Sequence, residues 1–219
     1  MEPVAVFRSP FSDKFGIPRQ SGLVKDLPGE VHLVGEFRNP DALRGLESFD
    51  YVWLIWGFSA NPAEGPWKAT VRPPRLGGNR RLGVFATRSP FRPNPLGLSS
   101  VRLERVDFEK KVLFVRGADL MDGTPIYDIK PYLAYTDAHP EAAGGFTDET
   151  GWQNLEIVFP DALAACFSEE ELSSLKASLA LDPRPRYQDD PKKEYGLTFA
   201  GRIVRFVVCD GVLTVTEVQ

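Results

Sequence analysis

Val101-Arg102-Leu103-Glu104-Arg105-Val106, the polar turn Glu109-Lys110-Lys111, and then Val112-Leu113-Phe114-Val115 form the stretch on which the fold class turns. Val101, Leu103, Glu104 and Val106 are interrupted by Arg102 and Arg105, the alternation of a strand. Val112 to Val115 resumes a β-prone run after the turn, so the two segments read as a hairpin. Similar runs precede it. Val4-Ala5-Val6-Phe7 and Val31 to Phe37 are β-prone, and Arg81 to Thr87 alternates loosely. Tyr51 to Trp56 is continuously apolar, which fits a strand buried on both faces, although periodicity alone leaves a buried helix open. Close spacing with Gly and Pro between the runs points to a barrel or a sandwich. No strands alternate with long amphipathic helices before residue 150, which argues against a doubly wound sheet. The one early helix candidate is Pro40 to Leu46, with Asn39 as cap.

The chain of 219 residues suits one medium domain with a small addition. A segment rich in Ala, Gly, Thr and acids, Asp137 to Gly151, reads as a loop or linker. Beyond it Ser168-Glu169-Glu170-Glu171 is a capping box ahead of Leu172, Leu175 and Leu179. Asp182-Pro183-Arg184-Pro185 stops that helix. Leu197 to Val208 and Val212 to Val218 flank Cys209-Asp210-Gly211, and an Asp-Gly between β-prone runs signals a hairpin. The expected organisation is a mainly β domain over 1–150 and a small α+β unit over 151–219.

Apolar residues make up 42% and charged residues 26%, ordinary for a folded soluble protein. The longest apolar run, Tyr51 to Phe58, falls far short of the ~20 residues of a membrane span. Met1-Glu2-Pro3 carries neither a basic nor an apolar signal region, so no secretory leader is expected and the reading is cytoplasmic. Two cysteines, Cys166 and Cys209, exclude a disulfide scaffold and read as reduced, buried structural thiols. His32 and His139 sit in unrelated contexts, so no metal site is expected.

Net charge is −4, but its distribution is uneven. Lys68, Arg72, Arg75, Arg80, Arg81, Arg88, Arg92, Arg102 and Arg105 face the single acid Glu104 within residues 68–105. That segment carries +8, which leaves −12 for the remainder. Such asymmetry points one surface at an anionic partner. Arginine dominates, and its planar fork suits phosphate and carboxylate.

Four loop segments concentrate chemistry that a plain barrel does not need. Lys14 to Gln20 contains a Gly-Ile-Pro turn followed by the donors Arg19 and Gln20. Val71 to Arg81 is stiffened by Pro73-Pro74, bent by Gly77-Gly78, and carries four arginines. Phe85 to Gly97 holds Arg88, Arg92 and three prolines, which place it outside the sheet at a barrel rim. Asp119 to Tyr132 opens with an Asp122-Gly123 turn and offers carboxylates to hydroxyl or amino groups. Gly-x-Gly-x-x-Gly, the P-loop pattern and Gly-x-Ser-x-Gly are all absent. On the residues alone, the chain is a β-rich domain whose arginine-rich rim binds an anion, RNA included.

Taken together the four segments resemble the TrmO (TsaA-like) family. The resemblance is carried by Pro18-Arg19-Gln20, Arg72-Pro73-Pro74-Arg75-Leu76-Gly77-Gly78-Asn79, Thr87-Arg88 with Arg92-Pro93-Asn94-Pro95-Leu96-Gly97, and Asp122-Gly123-Thr124-Pro125 through Asp128-Ile129-Lys130-Pro131-Tyr132. Leu46 to Trp53 and the later Asp182-Pro183-Arg184-Pro185 add to it. The resemblance implies a small antiparallel β-barrel that binds S-adenosylmethionine, often as a homodimer, with the C-terminal unit aiding tRNA contact. It further implies methyl transfer to N6 of threonylcarbamoyl-adenosine beside the anticodon of a threonine tRNA. Cofactor contacts would fall on Pro18, Arg19, Gln20, Ser59, Ala60, Arg88 and Leu98, and on Asp119, Leu120, Met121, Asp122, Gly123 and Thr124. Many members carry a larger polar residue where this chain has Ser59. Asp122 or Asp128 is the expected acceptor or orienter of the N6 proton. Arg72, Arg75, Arg80 and Arg92 are the expected contacts to RNA phosphate or substrate carboxylate. No residue is a committed nucleophile, so a barrel that binds an adenine nucleotide or RNA without chemistry stays open.

Overall fold

The computed structural model describes residues 1–60, 67–73, 76, 79–149, 151, 153–184 and 190–219. The first part runs through β1 (Ala5–Arg8), β2 (Pro28–Leu33), β3 (Tyr51–Gly57), the short β4 (Thr70–Val71) and β5 (Leu82–Gly83), β6 (Leu96–Asp107), β7 (Val112–Arg116) and β8 (Pro125–Pro131). Strands β1, β2, β7, β6, β3 and β8 pair in that order and close into a barrel, every pair antiparallel. Closure leaves no exposed strand edge. The hairpin read at residues 101–115 is β6–β7, with a register shift between Leu103 and Arg105. The inward residues Phe7, Leu54, Val101, Leu113 and Ile126 are each at most 1% exposed and form the barrel core.

Several expectations change. β3 is buried on one face only: Val52, Leu54 and Trp56 point inward, while Tyr51 is exposed and Trp53 and Ile55 are half-buried. An antiparallel barrel wall needs only one dry face, and here aromatic residues occupy the wet one. The Arg81 to Thr87 segment supplies just two strand residues before a 3-10 turn over Val84–Ala86. The Pro40 to Leu46 helix is a single 3-10 turn, Pro40–Leu43, which Asn39 caps by accepting from the Asp41 amide at 3.0 Å.

A short helix α1 (Ala134–Asp137) leads to the second unit: β9 (Glu156–Val158), α2 (Asp161–Ala164), α3 (Glu169–Ala180), β10 (Tyr195–Phe199), β11 (Arg202–Cys209) and β12 (Val212–Val218). Its sheet is ordered β10-β11-β12-β9, with β9 parallel to β12. Ser168 and Glu171 form the capping box that starts α3, and Leu175 and Leu179 are fully buried on its inner face. Cys209 pairs with Val212, so Asp210 and Gly211 turn the hairpin at φ 50° and 80°. Two positive φ values match the right-handed twist of the strands. Both Cys166 and Cys209 are exposed, against the expectation of buried thiols. They sit at or next to turns, each beside a buried core residue, Phe167 or Val208.

The second core recruits residues from the first part of the chain. Phe11, Val24 and Leu27, all in the β1–β2 connection, are buried with Phe167, Leu175, Leu197, Phe199 and Phe206. The connection that carries Pro18-Arg19-Gln20 is thus seated on the C-terminal sheet.

Candidate functional site

The turn after β7 is built by its own backbone and pinned to the end of β1. Gly123 sits at φ +77°, which a glycine tolerates freely, and Thr124 closes the turn onto the Met121 carbonyl through Oγ1 at 2.7 Å. Asp122 accepts from the Ser9 amide at 3.1 Å and from the Arg8 guanidinium at 3.3 Å. Its own amide donates to the Phe11 carbonyl at 2.8 Å. Leu120 and Thr124 are buried at 1% and 2% exposure, so within this stretch they serve packing.

Asp119 is the carboxylate this turn turns inward. Ser99 Oγ donates to Asp119 Oδ1 at 2.5 Å, and Trp56 Nε1 donates to Ser99 Oγ at 2.9 Å. Ser99 is 1% exposed, whereas Asp119 keeps a partly accessible edge. Burial pushes the Asp119 carboxyl above its ordinary range, opposed by the Ser99 hydroxyl, backbone amides of Asp119 and Ser21, and the charge of Arg88. Gly97 is required here, because a Cβ at that position would drive into the Trp56 indole.

Three segments meet around this carboxylate. Arg88, in the loop after β5, donates to Gln20 Oε1, and Gln20 Nε2 donates to the Arg19 carbonyl at 2.5 Å. Arg88 acts electrostatically on Asp119, as does the amide of Ser21, the residue after Gln20. Pro18 is buried beneath them. Residues 18–20, 88 and 119 therefore converge, although they are spread over a hundred positions.

Ser59 and Ala60 form the turn that leaves β3. Ser59 lines a cleft of about 290 Å³ with Phe58, Asn94, Leu96, Pro125 and Tyr127. Phe58 packs edge-on against Trp56 at 4.4 Å between ring centres, so the cleft wall and the Ser99–Asp119 pair share one indole. Leu98 and Asp128 lie elsewhere. Both pair with Ile55 across β6, β3 and β8, and Leu98 stands on the outer face at 57% exposure. Asp128 holds Lys130 Nζ at 2.9 Å and accepts from the Ile129 amide at 2.9 Å. Asp122 and Asp128 thus have separate partners.

The arginine-rich segment divides in the same way. Arg92 folds back to donate to the Thr87 carbonyl at 3.1 Å, which fixes the loop that presents Arg88. Arg80 pairs with Glu149 at 2.9 Å, both half-exposed, and Arg72 is exposed. Arg75 lies outside the described residues, as do Pro74, Gly77 and Gly78. Sequence reading missed Ser99 and Trp56; a Ser between Leu98 and Val101 in a strand looks like any polar alternation. Among the described residues no His, Cys, Asp and Glu side chains cluster as a metal site would need, and no helix is long and apolar enough to cross a membrane.

Residues 6–138 match the family profile described as the tRNA-methyltransferase O N-terminal domain, and residues 153–219 match the TrmO C-terminal domain. An Escherichia coli strain K12 protein named tRNA (adenine(37)-N6)-methyltransferase is 42% identical over 212 residues, covering 91% of this chain and 87% of its own. An Eikenella corrodens protein of the same name is 46% identical over 174 residues, 78% of this chain and 98% of its own. The crystal structure of TrmO from Pseudomonas aeruginosa superposes with a TM-score of 0.79 at 30% identity, covering 100% of this chain and 97% of that one.

Proposed function

Since the chain belongs to the tRNA-methyltransferase O family, across both its N-terminal and C-terminal domains, we propose that it methylates N6 of threonylcarbamoyl-adenosine next to the anticodon of threonine tRNA, using S-adenosylmethionine. The observation that carries this reading is the convergence of Gln20, Arg88 and Asp119 around a partly accessible carboxylate beside Trp56. The donor set suits the cofactor. A carboxylate matches an amino group, ribose hydroxyls or a sulfonium, and a guanidinium matches a carboxylate. Pro18, Arg19, Ser59, Ala60 and the turn residues Met121, Asp122 and Gly123 complete the proposed contacts, Leu120 and Thr124 packing beneath them and Leu98 standing apart on the outer face, with residues 1–150 as the cofactor domain and 151–219 as the tRNA-assisting unit.

When bound, the cofactor supplies an activated methyl group, so the protein's task is alignment and the local field. Arg88 and Gln20 orient the ligand's polar end, and Asp119 presents a carboxyl oxygen from a largely desolvated place. Asp122 or Asp128 accepts or orients the N6 proton, and the ion pairs each makes now, with Arg8 or Lys130, are exposed enough to exchange. Asp122→Asn and Asp128→Asn in single turnover test this; methyl transfer at the unaltered rate in both removes them. Arg72, Arg75, Arg80 and Arg92 face RNA phosphate or the substrate carboxylate in this reading.

The outer face of β3 and β6 supports a homodimer. Leu98, Tyr51, Trp53 and Ile55 line it, and Phe85 and Phe91 in the neighbouring loop are 73% and 60% exposed. A second copy would cover apolar area that one chain leaves wet. The setting is the cytoplasm, where tRNA is modified. Transfer of tritium from labelled S-adenosylmethionine to threonylcarbamoylated tRNA tests the activity. Cofactor binding without transfer would favour a barrel that binds and does no chemistry.

A further inference from the structure

A turn of the C-terminal unit grips Arg19 of the proposed cofactor site. Helix α3 ends at Ala180, and Asp182 leaves it at φ +51°, a left-handed value that Asp tolerates. Its carboxylate then braces the turn from within. Asp182 Oδ1 accepts from the Arg184 amide at 3.2 Å and from Arg184 Nε at 2.9 Å, and Oδ2 accepts from Nη2 at 3.0 Å. This fork lies at 11% side-chain exposure for Arg184 and 29% for Asp182, so it is shielded from much of the screening that weakens surface pairs. With both side chains engaged on each other, the main-chain carbonyls of Asp182 and Arg184 face outward. Arg19 Nη2 donates to both, at 3.3 and 3.1 Å.

From Arg19 the contacts continue inward. The Arg19 carbonyl holds Gln20, Gln20 holds Arg88, and Arg88 faces Asp119. The loop is also pressed onto the same domain below. Phe15 stacks on Tyr195 and Phe206 at 6.5 and 6.4 Å, and a Cβ on Gly16 would meet Leu197 at 2.8 Å. Packing fixes where the loop lies, and the Asp182–Arg184 turn fixes how its polar end is presented.

We propose that Asp182 and Arg184 are positioning residues for the cofactor site, acting through Arg19: the C-terminal domain clasps the loop that carries Arg19 and Gln20. The inference rests on the cofactor reading above. It assigns this turn a role in cofactor affinity, separate from any role the domain has toward tRNA. The clasp is electrostatic and directional, so Lys at 184 does not replace the two-point fork.

Calorimetry of S-adenosylmethionine binding to the full chain without tRNA tests it, using Arg184→Ala, Arg184→Lys, Asp182→Asn, Arg19→Ala and the Arg19→Ala/Arg184→Ala double variant. Asp182→Asn keeps the left-handed residue and the turn to the 184 amide, so it retains the fold while removing the charge. Each single variant is expected to weaken binding about tenfold, the scale of a lost hydrogen bond to a charged group. The double variant should be no weaker than the singles, because both act through one contact. Affinity within twofold of the unaltered protein in Arg184→Ala, or losses that add in the double variant, would overturn the clasp. Hydrogen exchange on the same proteins separates the two readings. Faster exchange over residues 14–21 in Arg184→Ala is expected whatever binds there, and unchanged exchange overturns the clasp. An unaltered protein that takes up no S-adenosylmethionine overturns the cofactor reading instead.

Discussion

Asp119 shows how one residue can oppose stability at a proposed site. Burial raises its carboxyl pKa, so the folded state holds the proton more tightly than the unfolded chain. The stability this group contributes is therefore full below the ordinary carboxylate value of about 4 and is lost as pH rises through the folded value. Asp119→Asn removes the ionisable group but keeps an acceptor for Ser99. The variant is expected to melt higher than the unaltered protein at pH 7, with the gap closing as pH falls toward 4. It should also bind S-adenosylmethionine more weakly, because the charge is gone. Thermal melts across pH alongside calorimetry check both halves; a melting point that falls at pH 7 contradicts the account of burial. Gly97 is the second residue of this kind. Gly97→Ala forces a methyl into Trp56 and is expected to cost about 1–3 kcal/mol in denaturant unfolding, with the Trp56–Ser99 bond lost. The Asp119 segment stood out as a candidate through its motif. Ser99 was not, since its role depends on a carboxylate twenty residues ahead that only the β6–β7 fold brings to it.

Among the elements, those with strong local signals were legible and those set by packing were not. The capping box at Ser168 and the Asp210-Gly211 hairpin each follow from chemistry within four residues. Ser168→Ala is expected to lower stability by about 1 kcal/mol, whereas Leu175→Ala, at a fully buried position of the same helix, should cost about 2–5 kcal/mol. Urea titrations of the two variants would rank them, and a larger loss at the cap than in the core would contradict the packing described. The turn between β10 and β11 escaped notice because Ala200 adopts φ +49°, a conformation its side chain does not advertise. β3 was read as dry on both faces because Trp and Tyr count as apolar. In the fold Trp53 Nε1 instead reaches Asp137 at 2.8 Å on the outer side.

Across the whole molecule, the barrel and the C-terminal unit share packing and ion pairs. Phe11, Val24 and Leu27 complete the second core, and Arg116 of β7 pairs with Glu104 at 2.8 Å and with Glu170 of α3. Contacts of this range leave no mark in local sequence, so the joint was not legible there. The outer face of β3 and β6 carries the proposal about assembly. Leu98→Asp is expected to shift the protein from dimer to monomer in light scattering after size exclusion; a monomeric unaltered protein contradicts a dimer through that face. The most direct test of the central claim is mass spectrometry of nucleosides from threonine tRNA, isolated before methylation and incubated with the purified chain and S-adenosylmethionine. Threonylcarbamoyl-adenosine should gain the mass of one methyl group, and the same tRNA without the threonylcarbamoyl group should gain none. A threonylcarbamoyl-adenosine left unmethylated, or a methyl group placed on another nucleoside, would contradict it.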